Sequence, residues 1–179
     1  QISEVLSGPM GLNSTFRLFP GSTEFHTDIL NQGSRVVFRI PDSHERVLEE
    51  KLRSLGIGPD DWFVCAHARE HGFWTDVMGA NRDMYRPEVS DHRNVDIRTY
   101  YPAFDYITSK GGKIVRMGDR SMAKIEGIDG VIDYPFTEHG SMVMDLYLLS
   151  KCRFVLGCNC GFSNGFPLPF GKPLLVNNF

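Results

Sequence analysis

The sequence predicts an α/β fold: a parallel sheet, doubly wound, with helices on both faces. Three observations carry that expectation. Short apolar runs recur along the chain, at 35–40, 62–68, 113–119, 130–136, 153–159 and 172–178. Segments with helical punctuation alternate with most of them. The runs are apolar nearly throughout rather than at every second residue, which marks strands covered on both sides.

The elements follow in order. Residues 1–34 are rich in Gly, Ser, Thr and Pro and show no sustained period, so they read as a linker or the remnant of an N-terminal domain. Residues 35–179 read as one domain. "RVVFRI" (35–40) is a short strand. The next segment has Asp42 or Ser43 as a cap, Glu45 three residues after Asp42 as a capping box, and Leu48, Leu52 and Leu55 on one helical face. Gly56 stops that helix. "WFVCAHA" (62–68) is a buried strand. Arg69 to Asn94 is a long polar loop, a length that in compact domains is often functional. Thr99 caps the next helix, to Lys110, with Pro102 harmless in its first turn and Tyr100, Phe104 and Ile107 as its apolar face. Gly111 and Gly112 end it. Ser141 caps a largely buried helix over 140–152, and a Gly-rich turn and short helix lead to the last strand.

Composition narrows the function. The 179 residues are 41% hydrophobic and 23% charged with a net charge of −3, so no basic surface suggests a nucleic-acid partner. No apolar run approaches the roughly 18 residues that span a membrane. Gln1 is followed by no signal-peptide pattern, and both ends read as cut from a longer protein. The four cysteines, Cys65, Cys152, Cys158 and Cys160, form no CxxC pair and read as small apolar core residues in a reducing, cytoplasmic setting. Cys158-x-Cys160 by itself is a weak metal signal that core thiols outweigh, so no metal is expected.

Parallel sheets bind ligands outside the carboxyl ends of their strands, where strand order reverses. Three strand ends supply polar side chains there. The first gives His67, Arg69 and Glu70. The second gives Arg116, Gly118 and Asp119. The third, with the turn after the 153–159 run, gives Asn159, Gly161, Phe162, Ser163 and Asn164. Two arginines with backbone N–H groups at a helix start suit a diphosphate. The competing reading pairs the arginines with Glu70 and Asp119 at the surface. His67 either contacts a phosphate or acceptor or is a satisfied core-edge histidine; His67 and His71 on a strand end do not share a face as zinc ligands on a helix do. Asp145 in the apolar helix is either crevice-facing or partly exposed. Phe162, Phe166 and Phe170, spaced by four, read as a core stripe. GxGxxG, GxxxxGK[ST] and GxSxG are all absent, so no dinucleotide fingerprint, P-loop or hydrolase elbow is present.

Four segments carry a resemblance: "LEEKLRSLGIGPDDWFVCAHARE", "DHRNVDIRTYYPAFDYITSKGGKIVRMGD", "VIDYPF" and "MDLYLLSKCRFVLGCNCGFSNGFPLPFGKPLLVNN". In this order they resemble a family of bacterial glycosyltransferases linked to surface-polysaccharide gene clusters. His67 and Arg69 are similar to the HxR element of fucosyltransferases that use GDP-fucose, whose arginine contacts the donor diphosphate. The "FVLGCNCGFS" turn is similar to the phosphate-binding turn of those enzymes. Glu70-His71-Gly72 after Arg69, and Asn159-Cys160-Gly161 in the turn, depart from that pattern and leave the donor sugar open.

The resemblance implies a Rossmann-like sheet forming the donor-binding half of a glycosyltransferase B-type fold, with an N-terminal acceptor domain missing. It implies a nucleotide-sugar donor as substrate rather than a cofactor, a glycan or lipid-linked acceptor, and a cytoplasmic place at the inner membrane face with peripheral membrane association. In a metal-free enzyme, Arg69 and Arg116 and the Gly161–Asn164 backbone would stabilise the leaving diphosphate. Asp119 and Asp145 would orient ribose or sugar, and Glu70 or Asp76 would serve as base. Rival readings are a polysaccharide pyruvyl transferase and a non-catalytic nucleotide-binding domain.

Overall fold

The computed structural model describes residues 38–73 and 91–177, all within the unit Arg35–Phe179. The loop residue Asp76 lies outside the described residues. The described chain forms strands β1 (Phe63–His67), β2 (Lys113–Arg116), β3 (Val131–Asp133), β4 (Val155–Cys158) and β5 (Leu174–Asn177), with helices α1 (Asp42–Ser54), α2 (Tyr101–Ser109), α3 (Met142–Lys151) and α4 (Gly161–Gly165). The five strands pair in the order β3-β2-β1-β4-β5, all parallel. The chain moves outward from β1 to β2 and β3, then crosses back to β4 on the other side of β1. The strand order therefore reverses between β1 and β4.

Alternation along the strands builds two cores. Phe63 and Cys65 of β1 face one side, with Val115 and Val155, and pack against Leu48 of α1 and Met144, Tyr147 and Leu148 of α3. Val64 and Ala66 face the other, with Ile114, and pack against Phe104 and Ile107 of α2. Fully burying a large apolar side chain contributes roughly 1.5–3 kcal/mol, so Phe104, Ile107 and the preceding Tyr100 fasten α2 to the sheet. Leu52 and Leu55 flank the first core as their spacing predicts.

Local details depart from the sequence reading where caps were chosen by residue type. Pro41, not Asp42 or Ser43, precedes α1, with no side-chain cap; Asp42 and Glu45 instead place negative charge in the first turn, where the helix dipole favours it. Asp96, not Thr99, caps the run into α2: it accepts the Arg98 N–H at the start of a 3₁₀ turn over Ile97–Tyr100, and α2 itself begins at Tyr101. Ser141 does cap α3, accepting the Met144 N–H. Gly56 and Gly111 both end helices in the left-handed region, at φ 82° and 77°. Of the expected strand over 35–40, the described residues 38–40 form no strand. Phe38 instead donates its N–H to the Pro169 carbonyl. The strands are also shorter than the apolar runs, by up to two residues at the start of β4 and β5.

Arg116, at the end of β2, is fully buried. It donates to Glu70 through Nη2 at 2.7 Å and to Asp133 through Nη1 at 2.8 Å. Each carboxylate uses its second oxygen on the β2–β3 connection: Glu70 Oε2 accepts the Ala123 N–H and Asp133 Oδ2 accepts the Ile125 N–H. The pairing is not with Asp119, because parallel register sets Asp133 beside Arg116. Removing Asp133 would leave Arg116 paired with Glu70 but strip its Nη1 and the Ile125 N–H of their acceptor, and a lost hydrogen bond to a charged group costs about 1.5–3 kcal/mol. Asp133→Ala is therefore expected to lower the unfolding free energy by about 2 kcal/mol or more in a denaturant titration. A loss under about 1 kcal/mol, the size of a surface pair, contradicts the assignment.

Candidate functional site

A cavity of about 420 Å³ opens at the carboxyl ends of the strands. Its wall includes His67, Arg69 and Glu70 after β1, Gly118, Asp119 and Met122 after β2, Asp145 of α3, and Cys160, Gly161 and Phe162 at the start of α4. The size lies in the ordinary range for a small-molecule site, about 300–1,000 Å³.

Each wall is positioned by a close approach. Gly118 has φ 138°, and a Cβ there would stand 2.0 Å from Met122 Sδ, so glycine lets the chain fold back and set Met122 into the wall. Asp119 Oδ1 accepts from the backbone and hydroxyl of Ser121, which turns the chain after Gly118. A Cβ on Gly72 would meet the Ser121 carbonyl at 2.2 Å, so the β1 and β2 loops touch backbone to backbone. On the far side, a Cβ on Gly157 would meet Ser163 Oγ at 2.1 Å; Ser163 is seated directly on β4.

The structure sorts the residues expected from sequence. His67, Arg69, Glu70, Gly118, Asp119, Asp145, Gly161 and Phe162 come together around the cavity. Arg116 does not line it; both its terminal nitrogens are committed to the carboxylates described above. Glu70 lines it with both oxygens engaged, and so is built as a structural carboxylate. Asn159 and Asn164 bond to one another, the Asn164 amide donating to Asn159 Oδ1 at 2.9 Å, and Ser163 is fully buried. None of these three is in the wall. The helix expected to present backbone N–H groups is the five-residue α4, capped by Cys160 Sγ. The aromatic stripe divides: Phe170 is core, Phe166 is exposed, and Phe162 stacks on His67 with ring centroids 4.8 Å apart.

Arg69 is almost fully buried, and its Nη1 donates to Asn94 Oδ1 at 2.9 Å. Its own backbone N–H donates to Cys158 Sγ at 3.1 Å. His71 lies apart from this wall, 3.5 Å from Asp91. Cys160 Sγ lies 3.3 Å from His67 Nδ1. A hydrogen bond from the Cys158 thiol, helped by His67 and Ser163, pulls the Cys160 thiol well below its ordinary range; Cys158 is pushed up by Cys160 and by burial. Burial also raises the Asp145 carboxyl, opposed by the Tyr134 hydroxyl. Cys160 and Met122 were not expected at a site. Met122 sits in a segment with no period, and Cys160 reads from sequence as a core thiol.

The five-stranded parallel sheet with helices on both faces is similar to the fold of B-type glycosyltransferases. No family model matches the chain, and no curated protein matches it. Among solved structures the chain is similar to the glycosyl transferase family 9 protein from Veillonella parvula DSM 2008, with a TM-score of 0.56 and 13% identity. The match covers 90% of this chain and 45% of that one, so the chain spans a little under half of the neighbour's length. At this identity the likeness is one of fold.

The Asp145 shift has a signed consequence. A carboxyl whose folded pKa is raised binds protons more tightly folded than unfolded, so stability falls as pH rises from the unfolded value through the raised one. Asp145→Asn is expected to raise the melting temperature at neutral pH and to leave it unchanged at pH below the ordinary aspartate range. Equal effects at both pH values contradict a partly buried, raised Asp145.

Proposed function

We propose that the cavity binds the diphosphate of a nucleotide-sugar and that the protein takes part in glycosyl transfer to a glycan or lipid-linked acceptor. The observation that carries this reading is Arg69, a nearly buried guanidinium in the wall of a cavity at the strand-order reversal. The fold likeness to a glycosyltransferase supports it. Among the described residues, Arg69 is the one lysine or arginine in that wall. Glu70 is tied by both oxygens to Arg116 and the Ala123 N–H, and burial disfavours the charged form of Asp145. A leaving diphosphate gains most from a cation fixed in place before the reaction, and Asn94 holds Arg69 in this way. Asp119 and Asp145 are assigned to sugar or ribose hydroxyls. Arg116 acts through Glu70 and the β2–β3 connection, as a positioning residue. The surface-polysaccharide setting, a cytoplasmic place at the membrane face and peripheral attachment belong to the same reading. No described helix is long and apolar enough to cross a membrane.

A thermal-shift panel of GDP, UDP, dTDP and CMP, each with and without its sugar, tests the assignment. At least one nucleoside diphosphate is expected to raise the melting temperature. Arg69→Lys, which keeps the charge and loses the fork, should weaken that ligand; Arg69→Ala should weaken it by about 10- to 100-fold, the worth of a charged hydrogen bond. Stabilisation by none of them sinks the reading, and preference for phosphoenolpyruvate points to pyruvyl transfer instead.

A further inference from the structure

Three metal-binding side chains meet where strand order reverses. His67 closes β1, Cys158 closes β4, and Cys160 begins α4. One ring nitrogen of His67 and the two sulfur atoms all lie within 4.8 Å of one another, and Nδ1 is 3.3 Å from Cys160 Sγ. Cys158-x-Cys160 is a weak metal signal by its spacing; the third donor arrives from 93 positions away. We propose that His67 Nδ1, Cys158 Sγ and Cys160 Sγ form a three-ligand site for one zinc(II) ion at the wall of the cavity.

The distances fit. Zinc bonds of about 2.3 Å to sulfur and 2.0–2.1 Å to nitrogen give tetrahedral edges of roughly 3.5 Å for N···S and 3.8 Å for S···S. The His67–Cys160 edge is 3.3 Å, and no pair exceeds 4.8 Å, so the donors close on an ion by movements of no more than about 1 Å. The surroundings orient them as ligands require. The Arg69 N–H donates to Cys158 Sγ at 3.1 Å and the Ser163 N–H to Cys160 Sγ at 3.5 Å. Phe162 stacks on the His67 ring and fixes its plane. Ser163 Oγ accepts from the Cys160 thiol; once that thiol is ionised, the hydroxyl turns and donates to sulfur.

On binding, two Zn–S bonds and one Zn–N bond form, and any proton still on either thiol passes to solvent. His67 and Cys160 both line the cavity, so the fourth position is open to water or a ligand oxygen from that side. The other thiol pair supplies an internal contrast. Cys65 and Cys152 are also buried, but they sit in the apolar core with Phe63 and Leu148, and among the described residues no third donor joins them. The site stands on its own three donors and does not depend on what fills the cavity.

The test is a cobalt(II) titration of the full chain, stripped with chelator and kept reduced. One equivalent should bind, with the strong visible bands of tetrahedral cobalt and near-ultraviolet sulfur-to-metal charge transfer, and zinc(II) should bleach both. Cys160→Ser and His67→Asn should each weaken cobalt by more than the ~10–100-fold that follows loss of a ligand's hydrogen-bond partner. Cys152→Ala should leave the spectrum unchanged. The two ligand variants sit on different elements, so misfolding of one leaves the other as a probe. Binding below one equivalent, a weak octahedral spectrum, or equal affinity in a folded ligand variant overturns the proposal. Nucleotide binding is read separately by the thermal-shift panel, so either result stands without the other.

Discussion

A guanidinium with no exposed surface at the end of a core strand is the constraint around which this crevice is arranged. Arg116 is accommodated because Glu70 and Asp133 approach it from the neighbouring strand ends. Both carboxylates then spend their second oxygen on backbone N–H groups of the β2–β3 connection. One buried cation thus ties three strand ends to a segment with no helix or strand of its own. That segment carries Gly118, Asp119 and Met122 into the cavity wall. The wall is fixed by electrostatics in a low dielectric, where an unmatched partner is costly.

The opposite wall is fixed by contact rather than charge. Gly157 admits Ser163 onto β4, and the short turn at Cys160 brings sulfur, imidazole and the Phe162 ring together across the reversal of strand order. Between the two walls Arg69 stands with Asn94 on one of its nitrogens. Chemistry and support are divided between two arginines of similar sequence context. Arg69 faces the cavity, and Arg116 holds the frame.

The sequence made the architecture legible because each β strand is an apolar run and α1 and α2 each show a face of helical period. Leu48, Phe104 and Ile107 landed in the cores their spacing indicates. Capping was less legible. Asp42 and Thr99 are good caps by type, yet Pro41 and Asp96 take those places, since backbone geometry at the entry decides which residue is used. Because parallel sheets bind ligands at the carboxyl ends of their strands, the sequence points to these strand ends, and most of the residues singled out there line one cavity. Arg116 was chosen for the cavity because strand-end position does not show burial. Its partner Asp133 was hidden inside "VIDYPF", where only the parallel register of β2 and β3 sets it opposite. His67 and Cys160 are far apart in sequence, and no local spacing foretells that they touch.

The most direct test is a crystal structure of the chain with a bound nucleoside diphosphate. The account predicts the diphosphate against Arg69, between the loops that carry Gly118 and Gly161, with Arg116 still paired to Glu70 and Asp133. A diphosphate held on another surface, or one that draws Arg116 out of its carboxylate pair, would contradict it.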